Sequence, residues 1–371
     1  MPSDEVAIVL PPREAFSPEA TGAIGLVVRM LAAGTEGFAA RVFGTPTASP
    51  FADVPFTPVR PARLLGGQTR RFAAALARTL GRARPALIEV HNHPELALLL
   101  ARALPSVPVS LFLHNDPQGM RGARSPAERA RLLARLAQVV TVSAWLRRRL
   151  MEGLADGAEV PVLPNCLDLA RLPTAAARDN TILFAGRVVP DKGADAFVRA
   201  CARALPALPG WRAVLLGADR FGRASPETAF VRALRAEAAA AGIAMPGWQP
   251  HRDVLAAMAR AAIVVVPSRW PEPFGLTALE AMASGAALLC APRGGLPEVT
   301  GDAAVPIDPD DPEALAAAIV ALAADPARRR ALAAAGRQRA AGFDVAYAAA
   351  TLAALRRRTL AAWPQRAAAP I

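Results

Sequence analysis

The residue types able to do chemistry gather in one stretch of the second half, Pro267-Ser268-Arg269-Trp270-Pro271-Glu272-Pro273-Phe274-Gly275-Leu276, with Glu280 following. An apolar run ends at Val266, a proline-rich loop follows, and a helical pattern begins near Gly275. Free N–H groups and partial positive charge at a helix start suit an anion, and a glycine there lets the backbone approach it closely. Glu272 and Glu280 are separated by seven residues. On one helix they would stand ~12 Å apart along the axis, whereas a retaining hydrolase pair needs ~5–5.5 Å. Joint hydrolysis is therefore not expected, and the two carboxylates should meet different parts of one elongated ligand.

Two further segments carry polar chemistry in the same half. In Phe184-Ala-Gly186-Arg187-Val-Val-Pro-Asp-Lys192-Gly193, a strand feeds a glycine turn, and two cations bracket the loop before a helix. That pattern suits a diphosphate, each charge-assisted contact being worth ~1.5–3 kcal/mol. Lys192 is the only lysine among 43 basic residues, and arginine does not replace a compact ammonium. Downstream, Gly294-Gly295-Leu-Pro-Glu298 is a second glycine turn opening a short helix.

In the first half, Val90-His91-Asn-His93-Pro and Leu113-His114-Asn-Asp116-Pro fall at the C-terminal ends of expected strands, where α/β proteins bind ligands. His91 and His93 are given a structural or acceptor-side role. His251 is read as a helix cap or the residue before a helix, without chemistry. No cluster has metal-ligand spacing, and the absence of GxGxxG argues against NAD.

Strands and helices alternate through both halves, the βαβ pattern of parallel sheets. Expected strands are 6–10, 39–43, 86–91, 107–114, 139–142 and 160–163, then 181–185, 213–216, 262–266 and 287–290. Helices are expected over 22–33, 70–82, 95–103, 126–136 and 144–152, then 194–205, 226–241, 253–261, 276–283, 312–323, 326–341 and 345–359. Residues 172–180 lose apolar periodicity and read as a linker. The fold class is α/β: two Rossmann-like, doubly wound parallel-sheet domains, residues 1–172 and 173–344, facing a ligand cleft.

Bulk properties set the surroundings. Net charge is +12, carried almost wholly by arginine, and Val54–Ile88 holds seven arginines and no acid. This surface is either solvated or attracted to an anionic membrane face. No signal peptide and no apolar run near 18 residues is evident, and three scattered cysteines form no framework. A cytoplasmic protein is expected, with peripheral association at the inner membrane face as an option and no nucleic-acid partner.

GRVVPDKG, PSRWPEPFGLTALEAMASG and GGLPE, in this order, resemble the family 4 (group 1) retaining glycosyltransferases of GT-B fold. The resemblance implies that Arg187 and Lys192, with Gly186, bind the diphosphate of a nucleoside-diphosphate-sugar donor. It implies that Glu280 meets the ribose, that Glu272 faces the sugar, and that backbone around Phe274, Gly275 and Leu276 holds sugar or phosphate. His114 matches the family's His-Asp loop and is expected at the transferred sugar. Asn165 and Asp168 resemble the family's Asn-Gly-x-Asp turn, with Cys166 at the glycine. Thr21-Gly22-Ala-Ile-Gly25 stands where the family has paired glycines, which makes Gly22 a further ligand candidate. The segment from His91 to His114 is similar to surface-polysaccharide and spore-coat members. The family implies a saccharide or lipid-linked acceptor, no metal or other cofactor, and a last helix (345–371) packing back toward the first domain. Two alternatives are an epimerase of the same fold and an inactive sugar-binding or assembly partner.

Overall fold

The computed structural model describes residues 5–62, 67–155, 157–175, 177–220, 222 and 225–367. The chain forms two compact units, Met1–Cys166 with Val345–Ile371, and Leu167–Asp344.

In the first unit, β1 (Glu5–Val9), α1 (Ala23–Gly34), β2 (Ala39–Gly44), β3 (Phe56–Pro58), α2 (Gln68–Ala83), β4 (Leu87–His91), α3 (Pro94–Ala103), β5 (Val109–Leu113), α4 (Pro126–Arg135), β6 (Gln138–Thr141) and α5 (Ala144–Met151) follow in order. The second unit continues with β7 (Asp179–Ala185), α6 (Ala194–Ala204), β8 (Arg212–Leu216), α7 (Ala229–Ala240), β9 (Ala244–Gly247), α8 (His251–Arg260), β10 (Ala261–Val266), α9 (Leu276–Ala283), β11 (Ala287–Cys290), α10 (Leu296–Thr300), β12 (Ala304–Pro306), α11 (Pro312–Ala324) and α12 (Pro326–Ala341). The last helix, α13 (Val345–Ala367), belongs to the first unit and packs on α1. Residues 368–371 of the expected final segment lie outside the described residues.

Each unit holds one six-stranded sheet, ordered β3-β2-β1-β4-β5-β6 and β12-β11-β10-β7-β8-β9, and every described pairing is parallel. Counted within its own unit, each order is 3-2-1-4-5-6, the doubly wound Rossmann arrangement. Its central strands are covered on both faces, which is why β10 (AAIVVV) is buried at every position. Ile182, Phe197, Ile263, Leu289 and Ile319 share the core of the second unit. Each such side chain contributes ~1.5–3 kcal/mol by leaving water. In such sheets the order reverses between the first and fourth strands, here β1/β4 and β7/β10, and ligands sit beyond the strand C-termini at that point.

The expected central strands are present, and three that the sequence hides, β3, β9 and β12, are all sheet edges. Each has three or four residues and contains proline (FTP, AMPG, AVP), which an edge tolerates because one side of its ladder is unpaired. The strand expected over 160–163 is instead a single bridge between Thr141 and Val162, since the flanking Pro161 and Pro164 have no N–H to give. Asp179 and Asn180, expected in the linker, already belong to β7. The chain passes into the second unit at Leu167, ahead of the expected 172/173 boundary, because Leu167 N–H donates to Phe343 O at 3.0 Å. α8 begins at His251 rather than 253, and α13 runs to Ala367 rather than stopping near 359.

Candidate functional site

The second unit brings three loops to the C-terminal ends of β7, β10 and β11. After β7 the chain makes a 3₁₀ turn (Pro190–Lys192) into α6. After β10 it crosses the proline-rich loop into α9, and after β11 it turns at Gly294-Gly295 into α10. Backbone bonds tie the three together. Arg269 N–H and Trp270 N–H both donate to Asp191 O at 2.9 Å, and Gly295 N–H donates to Glu272 O at 2.6 Å. Arg269 ties the proline-rich loop to the first turn of α6 through Asp195 (2.7 Å) and to the segment between β12 and α11 through Asp310 (2.7 Å). Gly193 has φ +70°, and a Cβ there would lie 1.8 Å from Pro267 O, so only glycine permits this approach of the first two loops.

Lys192 and Glu272, assigned from sequence to different parts of a ligand, are bonded to each other. Lys192 Nζ lies 2.5 Å from Glu272 Oε1, and the Ser268 hydroxyl donates to the same oxygen at 2.8 Å. Arg187 is half-buried, and its guanidinium has no hydrogen-bond or ion-pair partner among the described residues. The N-terminus of α9 has no side-chain cap: Gly275 is its N-cap at φ +104°, and a Cβ there would meet Leu296 at 2.3 Å. Phe274 is buried edge-on against Phe343 (5.7 Å), so only its backbone can serve a ligand. Leu276 is buried as well.

Two expectations need correcting. Gly186 N–H donates to Leu216 O at 3.0 Å, extending the sheet, so this amide is not free for a phosphate. His251, read from sequence as bland, is the first residue of α8, and its Nε2 lies 2.6 Å from Glu280 Oε1. Glu280 is 5% exposed, so this imidazole is part of what holds its carboxylate in place. No local pattern announces the pair, whose partners are 29 residues apart on adjacent helices.

In the first unit, β1/β4 is the equivalent reversal, and Gly22 lies beside it as the N-cap of α1. Its N–H donates to Glu14 Oε1 at 2.7 Å, and Gly25 N–H donates to the same oxygen at 3.1 Å. The anion expected at Gly22 is therefore supplied by the chain itself. Burial pushes the Glu14 carboxyl above its ordinary range, against the lowering effect of these bonds. His93 is the N-cap of α3, its Nδ1 accepting from Leu96 N–H at 3.4 Å. His114 is 9% exposed, and its Nε2 lies 2.9 Å from Nδ1 of the buried His91. Asn165 Oδ1 is occluded without a partner among the described residues, and Asp168 pairs with Arg171 at 3.1 Å.

Burial holds His91 neutral, with its pKa pushed down from 6.5 to about 3, the Arg356 charge adding to the effect. Below pH 6.5 the unfolded chain takes up a proton that the folded imidazole refuses. Stability present above that pH is thus lost progressively down to about pH 3. The slope is ~1.4 kcal/mol per pH unit. The melting temperature of the wild type should fall more steeply between pH 7 and 5 than that of His91→Phe; parallel pH profiles would refute the burial argument.

Among the described residues no three His, Cys, Asp or Glu side chains could hold a metal ion, and no helix is long and apolar enough to cross a membrane. The cysteines Cys166, Cys201 and Cys290 are buried, and no disulfide joins any of them among the described residues. Of the arginines between Val54 and Ile88, Arg60, Arg70, Arg78, Arg82 and Arg84 are exposed; Arg63 lies outside the described residues.

A family model described as Glycosyl transferases group 1 matches residues 172–339, and one described as Glycosyltransferase Family 4 matches residues 25–171. The chain belongs to this glycosyltransferase family, and its two doubly wound sheets are the GT-B fold. Among its relatives, a glycogen synthase of Mycobacterium tuberculosis is 31% identical over 275 residues, 69% of this chain. The chain spans 64% of that relative's length. Sucrose-phosphate synthase from Thermosynechococcus elongatus has a similar structure, with TM-score 0.78, 20% identity, and coverage of 96% of this chain and 100% of that one. Anabaena HepE in complex with UDP-glucose has TM-score 0.75, 21% identity, and coverage of 96% and 99%.

Proposed function

We propose that this protein transfers a sugar, with retention at the anomeric carbon, from a nucleoside-diphosphate sugar to a saccharide or lipid-linked acceptor. The observation that carries this reading is the β7/β10 reversal. There Arg187, without a side-chain partner among the described residues, the Lys192 ammonium and the uncapped N-terminus of α9 supply three sources of positive potential. A diphosphate leaving group needs that arrangement, because fixed donors stabilise charge as it develops. Glu280, held by His251, is suited to accept the two ribose hydroxyls. Glu272 faces the sugar and shares Lys192 with the phosphate, and the His114 imidazole meets a sugar hydroxyl.

The step breaks the bond from anomeric carbon to phosphate oxygen and forms one to the acceptor oxygen on the same face. The departing phosphate takes the acceptor's proton, so no protein nucleophile and no metal is required. The UDP-glucose bound by HepE and the names of the relatives support a donor of this class. We place the reaction in surface-polysaccharide or glycolipid synthesis at the cytoplasmic membrane face, where the exposed arginines of α2 would favour anionic lipid.

The test is a thermal-shift and calorimetry panel of UDP-, GDP- and ADP-sugars, with NAD as control. Saturable binding of one nucleotide sugar is expected and would name the base. Binding of NAD with failure of every nucleotide sugar would overturn the proposal.

A further inference from the structure

His91 ends β4, and its register partner on β5 is Phe112, two residues before His114. The His91 ring stacks on Phe112 at 4.9 Å and 12°, and lies 5.2 Å from the His114 ring. One hydrogen bond, 2.9 Å from His91 Nδ1 to His114 Nε2, joins them. Two residues earlier on the strand, and therefore on the same face of the sheet, is Glu89. Its carboxylate is held by Arg356 of α13, with Nε and Nη2 each at 2.8 Å, and the two side chains are 2% and 1% exposed. Two nitrogens of this buried group have no partner among the described residues, His91 Nε2 and Arg356 Nη1. His114 Nδ1 also has no partner among the described residues but is not occluded.

Burial leaves both imidazoles neutral, so a single proton sits between them and has two placements. If His114 Nε2–H donates, His91 must carry its other proton on Nε2. That proton would be a buried donor with no acceptor, in the field of the Arg356 cation. If His91 Nδ1–H donates, the Nε2 lone pair faces that field instead, and no donor of either ring is orphaned. Orphaned buried donors are costly, and a cation favours a lone pair over an N–H dipole, so the second placement wins. We propose that His91, backed by the Glu89–Arg356 pair, is a positioning residue that locks His114 as the Nδ1–H tautomer. His114 then presents a hydrogen-bond donor to the substrate rather than a base. In the terms of the proposed function, on which this last step rests, the donor meets a hydroxyl oxygen of the sugar.

The chain has four histidines, so ¹⁵N-histidine NMR of the intact protein can resolve each ring. The expected spectrum has protonated Nδ1 and unprotonated Nε2 at both His91 and His114, assigned with His114→Gln. His91→Phe keeps the stack on Phe112 but cannot donate, and should shift His114 toward its Nε2–H form. His91→Asn places an amide N–H near the original Nδ1 and should restore the Nδ1–H form. Turnover of the preferred nucleotide sugar should fall about tenfold in the Phe variant and recover in the Asn variant, one hydrogen bond's worth. Affinity for the bare nucleoside diphosphate should be unchanged in both. An Nε2–H tautomer at His114 in the wild type would overturn the proposal. The expected tautomers with no sugar turned over by any protein would leave the lock standing and sink the transferase reading instead.

Discussion

Replacing Lys192 with alanine is expected to weaken nucleoside-diphosphate binding by one to two orders of magnitude while leaving the fold intact. The Lys192 side chain is 27% exposed at the end of a 3₁₀ turn, and its only ion-pair partner among the described residues is Glu272. A charge-assisted bond to phosphate is worth ~1.5–3 kcal/mol, which converts to a factor of ~10–150 in affinity. A second effect adds to the first. Without the ammonium, the Glu272 carboxylate keeps only the Ser268 hydroxyl among the described residues, and its charge repels the incoming diphosphate. Lys192→Arg should recover little of the loss, because a planar guanidinium cannot take the place of a compact ammonium against Glu272. Calorimetry with whichever of UDP, GDP or ADP the wild type selects reads the change, with a matched circular dichroism spectrum to show that the fold survives. Undiminished affinity would remove Lys192 from the donor site.

Arg356→Met should cost the protein about 3–5 kcal/mol, the penalty for leaving one member of a buried pair alone. Glu89 is 2% exposed at the centre of the first sheet and would have to stay charged without a partner or take up a proton. Arg356 also lies 5.5 Å over the Phe38 ring and reaches its partner across 267 residues of sequence, tying α13 to β4. For a unit of this size the melting temperature should fall by about 10 °C. Glu89→Leu combined with Arg356→Met should be less destabilised than Arg356→Met alone, since the stranded charge is gone. A double variant as unstable as the sum of the singles would show that packing, not charge pairing, holds this position.

The legible part of the molecule is the part written contiguously. Strand end, glycine turn and helix start follow one another between Ala185 and Ala194 around Arg187 and again between Val266 and Leu276, where Gly275 opens α9, so their order in sequence fixes their order in space. The central strands announce themselves because burial on both faces demands runs such as AAIVVV. The edge strands β3, β9 and β12 do not, since a single paired side tolerates proline and imposes little pattern. Hardest to read are polar pairings between distant segments. His251 with Glu280, Lys192 with Glu272, and Arg356 with Glu89 each depend on tertiary packing that no spacing rule encodes. The same holds for engaged amides: Gly22 and Gly186 look available until Glu14 and Leu216 are seen to occupy them.

The most direct measurement is a crystal structure of the protein with its preferred nucleoside-diphosphate sugar. The diphosphate should lie within hydrogen-bond distance of Lys192 Nζ and Arg187, in front of the α9 N-terminus, with the ribose hydroxyls on Glu280. A nucleotide bound instead at the α1 turn of the first unit, displacing Glu14 from Gly22, would contradict the assignment of the donor to the β7/β10 reversal.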